Sequence, residues 1–519
     1  MGAARLIAFG GRLYVGRRGR RPHPAGCGAE RPAAVTLEAV TGARGGGGQE
    51  EERRAMARSP WKRLGAADEL RLEDGDRVAV LGGGPAGSLF AYFFRRLAEL
   101  VELDVAVDLF EPRRFDRRGP CGCNHCGGVV SESLVQVLAT EGVEIPPGVI
   151  QRGIDSYVLH MDVGDARIDP PGHEKRIAAV YRGSGPRLSA ITDDVSFDRY
   201  LLELACAHGT RHEARLVAGV EWFDGRPRVR CADGLARDYD LVVVATGVNS
   251  HLLEAIERLG VGFVAPQTVK TFITEFELGR ERIERSLGAS MHVFLLDLPR
   301  LEFGALIPKG DYVTVCLLGR EIDDDLVRSF LGSPEVRSCF PGGVLPASCC
   351  HCMPRINLAP RGPAWADRLV MVGDSGVTRL YKDGIGAAYR TAKAAATTAL
   401  LQGVSADSFS RFYGPCCRRI DRDNRIGRFL FACGHSAQHL RGARRALLRM
   451  TRREQATAGS AARLSGILWD LFTGSSSYGD ILRRGFHPGF GLGLAWNFAV
   501  GAWRDPRPLA TLPGRPLRA

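Results

Sequence analysis

The chain has 519 residues, 45% of them hydrophobic and 25% charged, with a mean hydropathy of −0.09. That balance excludes a membrane-embedded chain and one disordered throughout, and the length allows about three domain-equivalents of buried core without disulfides or metals. Lys and Arg number 70 against 58 Asp and Glu, a net +12, but the excess is local: residues 1–55 hold 10 Arg and 5 Glu, and residues 411–453 hold 12 Arg and 2 Asp. The remainder is near neutral, so any anionic partner is expected at those two regions only.

In chain order, the first segment carries Arg5, Arg12, Arg17, Arg18, Arg20 and Arg21 before any acidic residue, a glycine run at 45–48, and no sustained periodicity. It is predicted as a disordered leader over residues 1–70, with Met56 as a candidate true start. Its Arg content also suits a transit peptide, but residues 1–55 hold no Ser and no secretory apolar core. Arg77 to Leu81 then reads as a short buried strand, followed at once by Gly82-Gly-Gly-Pro-Ala-Gly87. Pro85 suits a first helical turn, and Leu89, Phe90, Phe93, Phe94 and Leu97 give the following helix one apolar face. Val105 to Phe110 reads as a second strand, ending at Glu111, which completes a β-α-β unit.

Ser196 to His208 is predicted as an amphipathic helix, and Asp240 to Gly247 as another buried strand and turn. Short strand-like runs around Phe272, Val293 and Tyr312 predict an inserted antiparallel sheet. Arg368 to Asp374 returns to the parallel-strand pattern, an Ala-rich helix runs from about Gly386 to Leu401, and the remainder to about Trp503 is predicted mostly helical. No window of about 18 uninterrupted apolar residues occurs, so no transmembrane helix is predicted.

Gly82, Gly84 and Gly87 stand in the G-x-G-x-x-G spacing, with Pro85 and Ala86 between them, where bare backbone lets a pyrophosphate approach a helix N-terminus. Glu111, 24 residues beyond Gly87, is placed to accept ribose hydroxyls. With a strand before and a helix after, the motif is a strong dinucleotide signal.

Two further segments, Ala245-Thr246-Gly247 and Asp367 to Asp374, occupy the order of the second and third signatures of flavoprotein oxidoreductases, and the chain resembles the geranylgeranyl-reductase-like branch of the FAD-dependent monooxygenase and reductase superfamily. Cys126-Gly127-Gly128 with Ser131 to Leu134, and Ala305 to Gly310, are similar to segments of that branch, although the aromatic residues expected before Pro308-Lys309 are missing. The resemblance implies an α/β fold: a Rossmann-type FAD-binding domain (71–261 and 360–403), a mainly β, antiparallel-sheet substrate domain inserted at 262–359, and a C-terminal helical region (404–519). It implies FAD held by Gly82, Gly84, Pro85, Ala86, Gly87, Glu111, Thr246 and Gly247. Asp374 would meet the ribityl chain, and the backbone of Gly384, Ile385 and Gly386 the N1 and C2-carbonyl edge of the flavin.

The activity implied is reduction of C=C bonds in an apolar, isoprenoid-like or lipid substrate by a cytoplasmic enzyme. NAD(P)H or another reductant would be the transient electron donor, since no second glycine fingerprint appears. An FAD-dependent monooxygenase using dioxygen, and an electron-transfer protein pairing FAD with a thiolate-bound cluster, are the alternatives. Protonation of the substrate carbon needs a general acid, for which Tyr381 and Lys382, beside the flavin-facing turn, are candidates. Cys126 is the candidate reactive thiol.

Of 14 cysteines, Cys121, Cys123 and Cys126 (with His125) and Cys349, Cys350 and Cys352 (with His351) form two clusters. Their spacing matches no usual zinc or iron-sulfur run, so no metal is assigned and reduced thiols are expected. Arg441, Arg444, Arg445, Arg449, Arg452 and Arg453 predict a basic helix at 440–453 that could rest peripherally on an anionic membrane surface. No nucleic-acid-binding module is present, so nucleic acid is not expected as a partner.

Overall fold

A computed structural model describes residues 70–118, 126–170, 177–186, 196–457 and 463–503. The leader, Met56, Cys121, Cys123 and His125 lie outside the described residues. Six strands form the first sheet, in the order Trp365–Ala366, Leu369–Met371, Leu241–Val244, Arg77–Leu81, Ala106–Phe110, Arg211–Glu213. All neighbours are parallel except the first pair. The central strands are apolar on both faces because helices cover both, and Val78 to Leu81 and Leu241 to Val244 are fully buried.

Three of these strands, ending at Leu81, Val244 and Met371, lie side by side and run in the same direction. The three signature turns therefore leave one edge of the sheet together, the carboxyl edge at which open α/β sheets bind their ligands. The helix Pro85–Leu100 starts with Gly84 extended at its N-cap and Pro85 in its first turn. It packs against the Ala-rich helix Gly384–Leu401, and the turn at Gly373 nestles into the same seam: a Cβ there would lie 2.7 Å from that of Ala86.

A second sheet has seven strands in the order Ser348–Cys352, Phe272–Glu277, Tyr312–Gly319, Leu301–Lys309, Ser290–Phe294, Ser156–Met161, Gly164–Ile168. It departs from the predicted insertion in two ways. Two strands come from before residue 262, and the pair Ser290–Phe294 with Ser156–Met161 is parallel, so the sheet is mixed. Pairing between segments more than 120 residues apart leaves no local mark, which is why period-2 runs alone missed it. One face packs on the C-terminal helices through Tyr157, Val293, Trp469 and Phe472. The other packs through Phe294, Leu306 and Val315 against Phe330 of helix Asp324–Gly332.

The basic helix spans Arg441–Ala456 and does not turn all its cations outward. Arg444 and Arg445 are buried. Arg444 pairs with Asp162 at 2.6 Å and Asp297 at 3.3 Å, and Arg452 with Asp165 at 3.2 Å. Of the six arginines read as one basic face, part is thus drawn inward by acids beside the second sheet. Among the described residues no helix is long and apolar enough to cross a membrane.

Candidate functional site

The glycine loop shows why its glycines are needed. A Cβ on Gly87 would fall on the Gly82 carbonyl oxygen, so only glycine lets the helix start this close to the strand. Glu111, buried at the end of the second strand, accepts from the Gly83 N–H at 2.9 Å and the Arg113 N–H at 2.8 Å. Burial nevertheless raises its carboxyl above the usual range. The carboxylate thus fixes the loop.

The second and third signatures are tied together. The Gly247 N–H donates to Ser375 Oγ at 2.9 Å, the Gly373 N–H to Thr391 Oγ1 at 2.9 Å, and Asn357 Nδ2 to the carbonyls of Asp374 and Gly376 at 3.0 and 3.1 Å. Burial raises the Asp374 carboxyl, against the opposing influence of Thr378 and the Arg182 cation. Its Oδ1 is 3.9 Å from where a Cβ on Gly384 would be, so it lies under the start of the Ala-rich helix.

That helix start is uncapped by its own sequence. Asp383 adopts a left-handed conformation at the N-cap and turns its carboxylate to Arg390 at 3.0 Å and Arg379 at 3.6 Å instead of to the first-turn amides. The carboxylate nevertheless lies against the first turn, where a Cβ on Gly386 would strike it, and no side chain caps the helix. Two observations fit a bound cofactor. Thr246 Oγ1 is buried with no protein partner, and a Cβ on Gly247, at φ +69°, would meet nothing within 4 Å. The residues present thus fit FAD: a glycine loop, a buried carboxylate at the end of the next strand, and the other two signature turns on the same edge.

The turn before this helix is clamped from the C-terminal region. Asn424, fully buried, accepts from the Leu380 N–H at 2.9 Å and donates to the Thr378 carbonyl at 2.8 Å. Tyr478 Oη donates to the Leu380 carbonyl, and Arg379 to the carbonyls of Gly474 and Ser476. The two predicted acids in this turn diverge. Tyr381 packs edge-on against Phe431, with ring centroids 4.9 Å apart, and burial pushes its phenol up to about 12. Lys382 reaches the other way, its Nζ 4.2 Å from the Phe303 ring centroid, and burial pulls its ammonium down to about 8 despite the Cys316 thiol nearby.

Cys126 lies in a pocket between the segment 181–186 and the second sheet. Gly127 and Gly128 let this loop lie flat on the sheet: a Cβ on Gly127 would be 3.0 Å from Cys316 Sγ, and one on Gly128 would strike the Val180 carbonyl. Lys382 and Cys126 both act on the ionisation of Cys316, so they approach the same part of the sheet. Neither Tyr381 nor Lys382 lines the pocket.

Several pocket residues escaped the sequence reading. Lys309, only 1% exposed, lies 4.8 Å from the Tyr181 ring centroid and 4.0 Å from Glu275 Oε1. Glu275 accepts from Thr314 Oγ1 at 2.9 Å, and burial raises its carboxyl. Tyr181 Oη is buried without a partner, and burial keeps the phenol protonated. Arg182 is held by the fully buried Asp198 through its Nε and, at 2.9 Å, its Nη2, and it is hydrogen-bonded to Cys126. Apart from Pro308-Lys309, noted in the family-like segment, no local pattern marks these groups.

Cys350, His351 and Cys352 line the same pocket, so folding brings part of the second cysteine cluster to Cys126. Among the described residues, however, these side chains do not converge on a metal geometry; the one such group is His160, His292 and Cys339.

The fold is similar to that of several solved flavoproteins. A geranylgeranyl bacteriochlorophyll reductase-like protein from Thermoplasma acidophilum matches with a TM-score of 0.55 and 15% identity, over 82% of this chain and 100% of its own. A flavoprotein/dehydrogenase from Cytophaga hutchinsonii matches with a TM-score of 0.55 and 14% identity, over 82% and 98%. A flavin-dependent brominase matches with a TM-score of 0.51 and 16% identity, over 79% and 97%. No protein-family model and no curated protein matches the sequence. At these identities the likeness is one of fold, and the fold is that of the FAD-dependent oxidoreductases.

Proposed function

We propose that this protein is an FAD-dependent oxidoreductase that reduces a C=C bond of an apolar substrate held in the pocket at Cys126. The observation that supports the cofactor is the meeting of the glycine loop, the Thr246-Gly247 turn and the Asp374 turn at one sheet edge, where Thr246 Oγ1 is buried without a protein partner. FAD, when bound there, supplies a hydride at its N5. The protein's part is to hold the pyrophosphate on the Gly82 to Gly87 loop, the ribose on Glu111 and the flavin edge on the helix N-terminus.

Lys382, with its ammonium near 8, is charged at neutral pH yet close enough to titration to give up a proton, which suits the general acid for the substrate carbon. Cys126, hydrogen-bonded to Arg182, is the second candidate. Tyr381, packed on Phe431, serves in this proposal to position the turn. The unpartnered Tyr181 hydroxyl and the buried Lys309 ammonium would receive an acceptor oxygen at the polar end of an otherwise apolar substrate, because a ligand oxygen would satisfy both. NAD(P)H is proposed as a transient reductant.

The test is anaerobic turnover. Protein purified with its flavin and reduced with dithionite is mixed with a polyprenyl substrate, and the product is analysed by mass for added hydrogen. Reduction without oxygen supports the proposal. Product that forms only with dioxygen and carries one added oxygen would replace it by the monooxygenase reading, and stoichiometric iron with acid-labile sulfide by the electron-transfer one.

A further inference from the structure

We propose that His160, His292 and Cys339 form a structural zinc site, apart from the flavin cradle, that ties two strands of the second sheet to the segment following Pro334–Arg337. The three come from distant parts of the chain. His160 and His292 stand on the adjacent parallel strands Ser156–Met161 and Ser290–Phe294, and Cys339 enters from the turn after Pro334–Arg337. All three are buried, at 8%, 6% and 4% exposure. One ligand atom from each lies within 4.8 Å of the other two.

The distances can be compared with what the ion requires. Tetrahedral zinc with Zn–N of about 2.05 Å and Zn–S of about 2.3 Å needs nitrogens about 3.3 Å apart and each about 3.6 Å from the sulfur. Cys339 Sγ lies 3.5 Å from His292 Nδ1 and 3.8 Å from His160 Nε2, both close to that figure. The two nitrogens are 2.8 Å apart, a hydrogen-bond distance, so loading the ion replaces the shared proton and opens that gap by about half an ångström.

The surroundings favour ligation. His292 Nε2 faces the Leu287 carbonyl at 3.4 Å, which assigns the ring proton to Nε2 and turns the Nδ1 lone pair toward the other two ligands. His160 is fixed by stacking on Phe294 and His292, with centroids 4.6 and 5.0 Å away. Asp165, the register partner of His160 in the neighbouring strand, is engaged by Arg452 at 3.2 Å, so the protein supplies three ligands. Two imidazoles and one thiolate in a buried site suit zinc better than a hard cation, and none of the three lines the pocket at Cys126, which fits a structural role.

Elemental analysis of the full-length, flavin-bound protein is expected to show one zinc per chain, and X-ray absorption at the zinc edge one sulfur with three nitrogen or oxygen neighbours. His292→Ala and Cys339→Ala should each remove that zinc, whereas Cys350→Ser and Cys352→Ser should leave it. Protein that holds no zinc and takes none up from added Zn²⁺ overturns the proposal. So does a shell with three or four sulfurs, or unchanged stoichiometry in the His292 and Cys339 variants. If those variants do not fold, the absorption shell of the unmodified protein still decides.

Discussion

The two large sheets build their halves of the site from different materials. On the parallel sheet the work falls to the main chain, at Gly82 to Gly87, at Ala245 to Gly247, and from Gly373 to the helix start at Gly386. On the mixed sheet it falls to side chains from separate segments: Cys126, Tyr181, Arg182, Glu275, Lys309 and Cys350 to Cys352. A site made of backbone needs particular residues at fixed spacing, because only certain φ values and close approaches permit it. A site made of side chains needs only that the strands carrying them meet. Substitutions in the two halves should therefore fail in different ways.

The largest effect is expected at Gly87. Valine there would drive a side chain into the Gly82 carbonyl and crowd Ala245, and the strand-to-helix turn could not close. Gly87→Val should purify without flavin, or not fold, with a cost of about 3 kcal/mol or more. Absorbance at the flavin band and a thermal melt check it, and flavin retained at the unmodified level would mean that the loop does not carry the cofactor. Next comes Arg182→Met, which strands the buried carboxylate of Asp198. A loss of about 3–5 kcal/mol in urea unfolding is expected, largely restored in Arg182→Met/Asp198→Leu. Equal losses in the single and double variants would show that packing, not the uncompensated charge, sets the stability on that side.

Lys382 joins the two halves and gives a pH signature. Its ammonium is held near 8, below the ordinary 10.5, by burial, so between those values the unfolded chain binds more protons than the folded one. Stability should therefore rise with pH from about 8 to 10.5, and the penalty of up to about 3 kcal/mol applies in full below 8. Lys382→Met should be flat across this window. Turnover should fall above about pH 8 as the proton is lost, and the variant should lack that limb. A turnover profile unaltered by Lys382→Met would remove Lys382 from the proton path.

Legibility in the sequence divides along the same line. Arg77 to Leu81, the glycine loop, Glu111, Thr246-Gly247 and Asp374 all stand where spacing and strand order predicted, since each is fixed by its immediate neighbours. Tyr181 was invisible because what gives it meaning, Lys309, lies far along the chain, and Arg182 because Asp198, though nearer in sequence, meets it only through the fold. Arg444 was read as one cation in a solvated basic face for the same reason. Its partners Asp162 and Asp297 belong to the second sheet and are more than 140 residues away. Among the three catalytic candidates, proximity in sequence was a poor guide: Tyr381 and Lys382 are adjacent, yet one packs on Phe431 and the other reaches Phe303.

The smallest expected effect separates space that belongs to the protein from space kept for a ligand. At Gly87 a Cβ has nowhere to go, whereas at Gly247 it would meet no protein atom within 4 Å, and only the left-handed φ of +69° opposes it. Gly247→Ala should therefore cost the flavin-free protein about 1 kcal/mol, the ordinary penalty for an L-residue in that conformation. If the open space is where FAD lies, the same methyl should weaken flavin binding by a further tenfold or so, measured by titrating stripped protein with FAD. The ratio of the two effects is what matters. A methyl that lowers the melting temperature but leaves the FAD dissociation constant unchanged would place the cofactor elsewhere on the sheet edge, and the backbone half of the site would then have to be redrawn around Asp374 and the helix start alone.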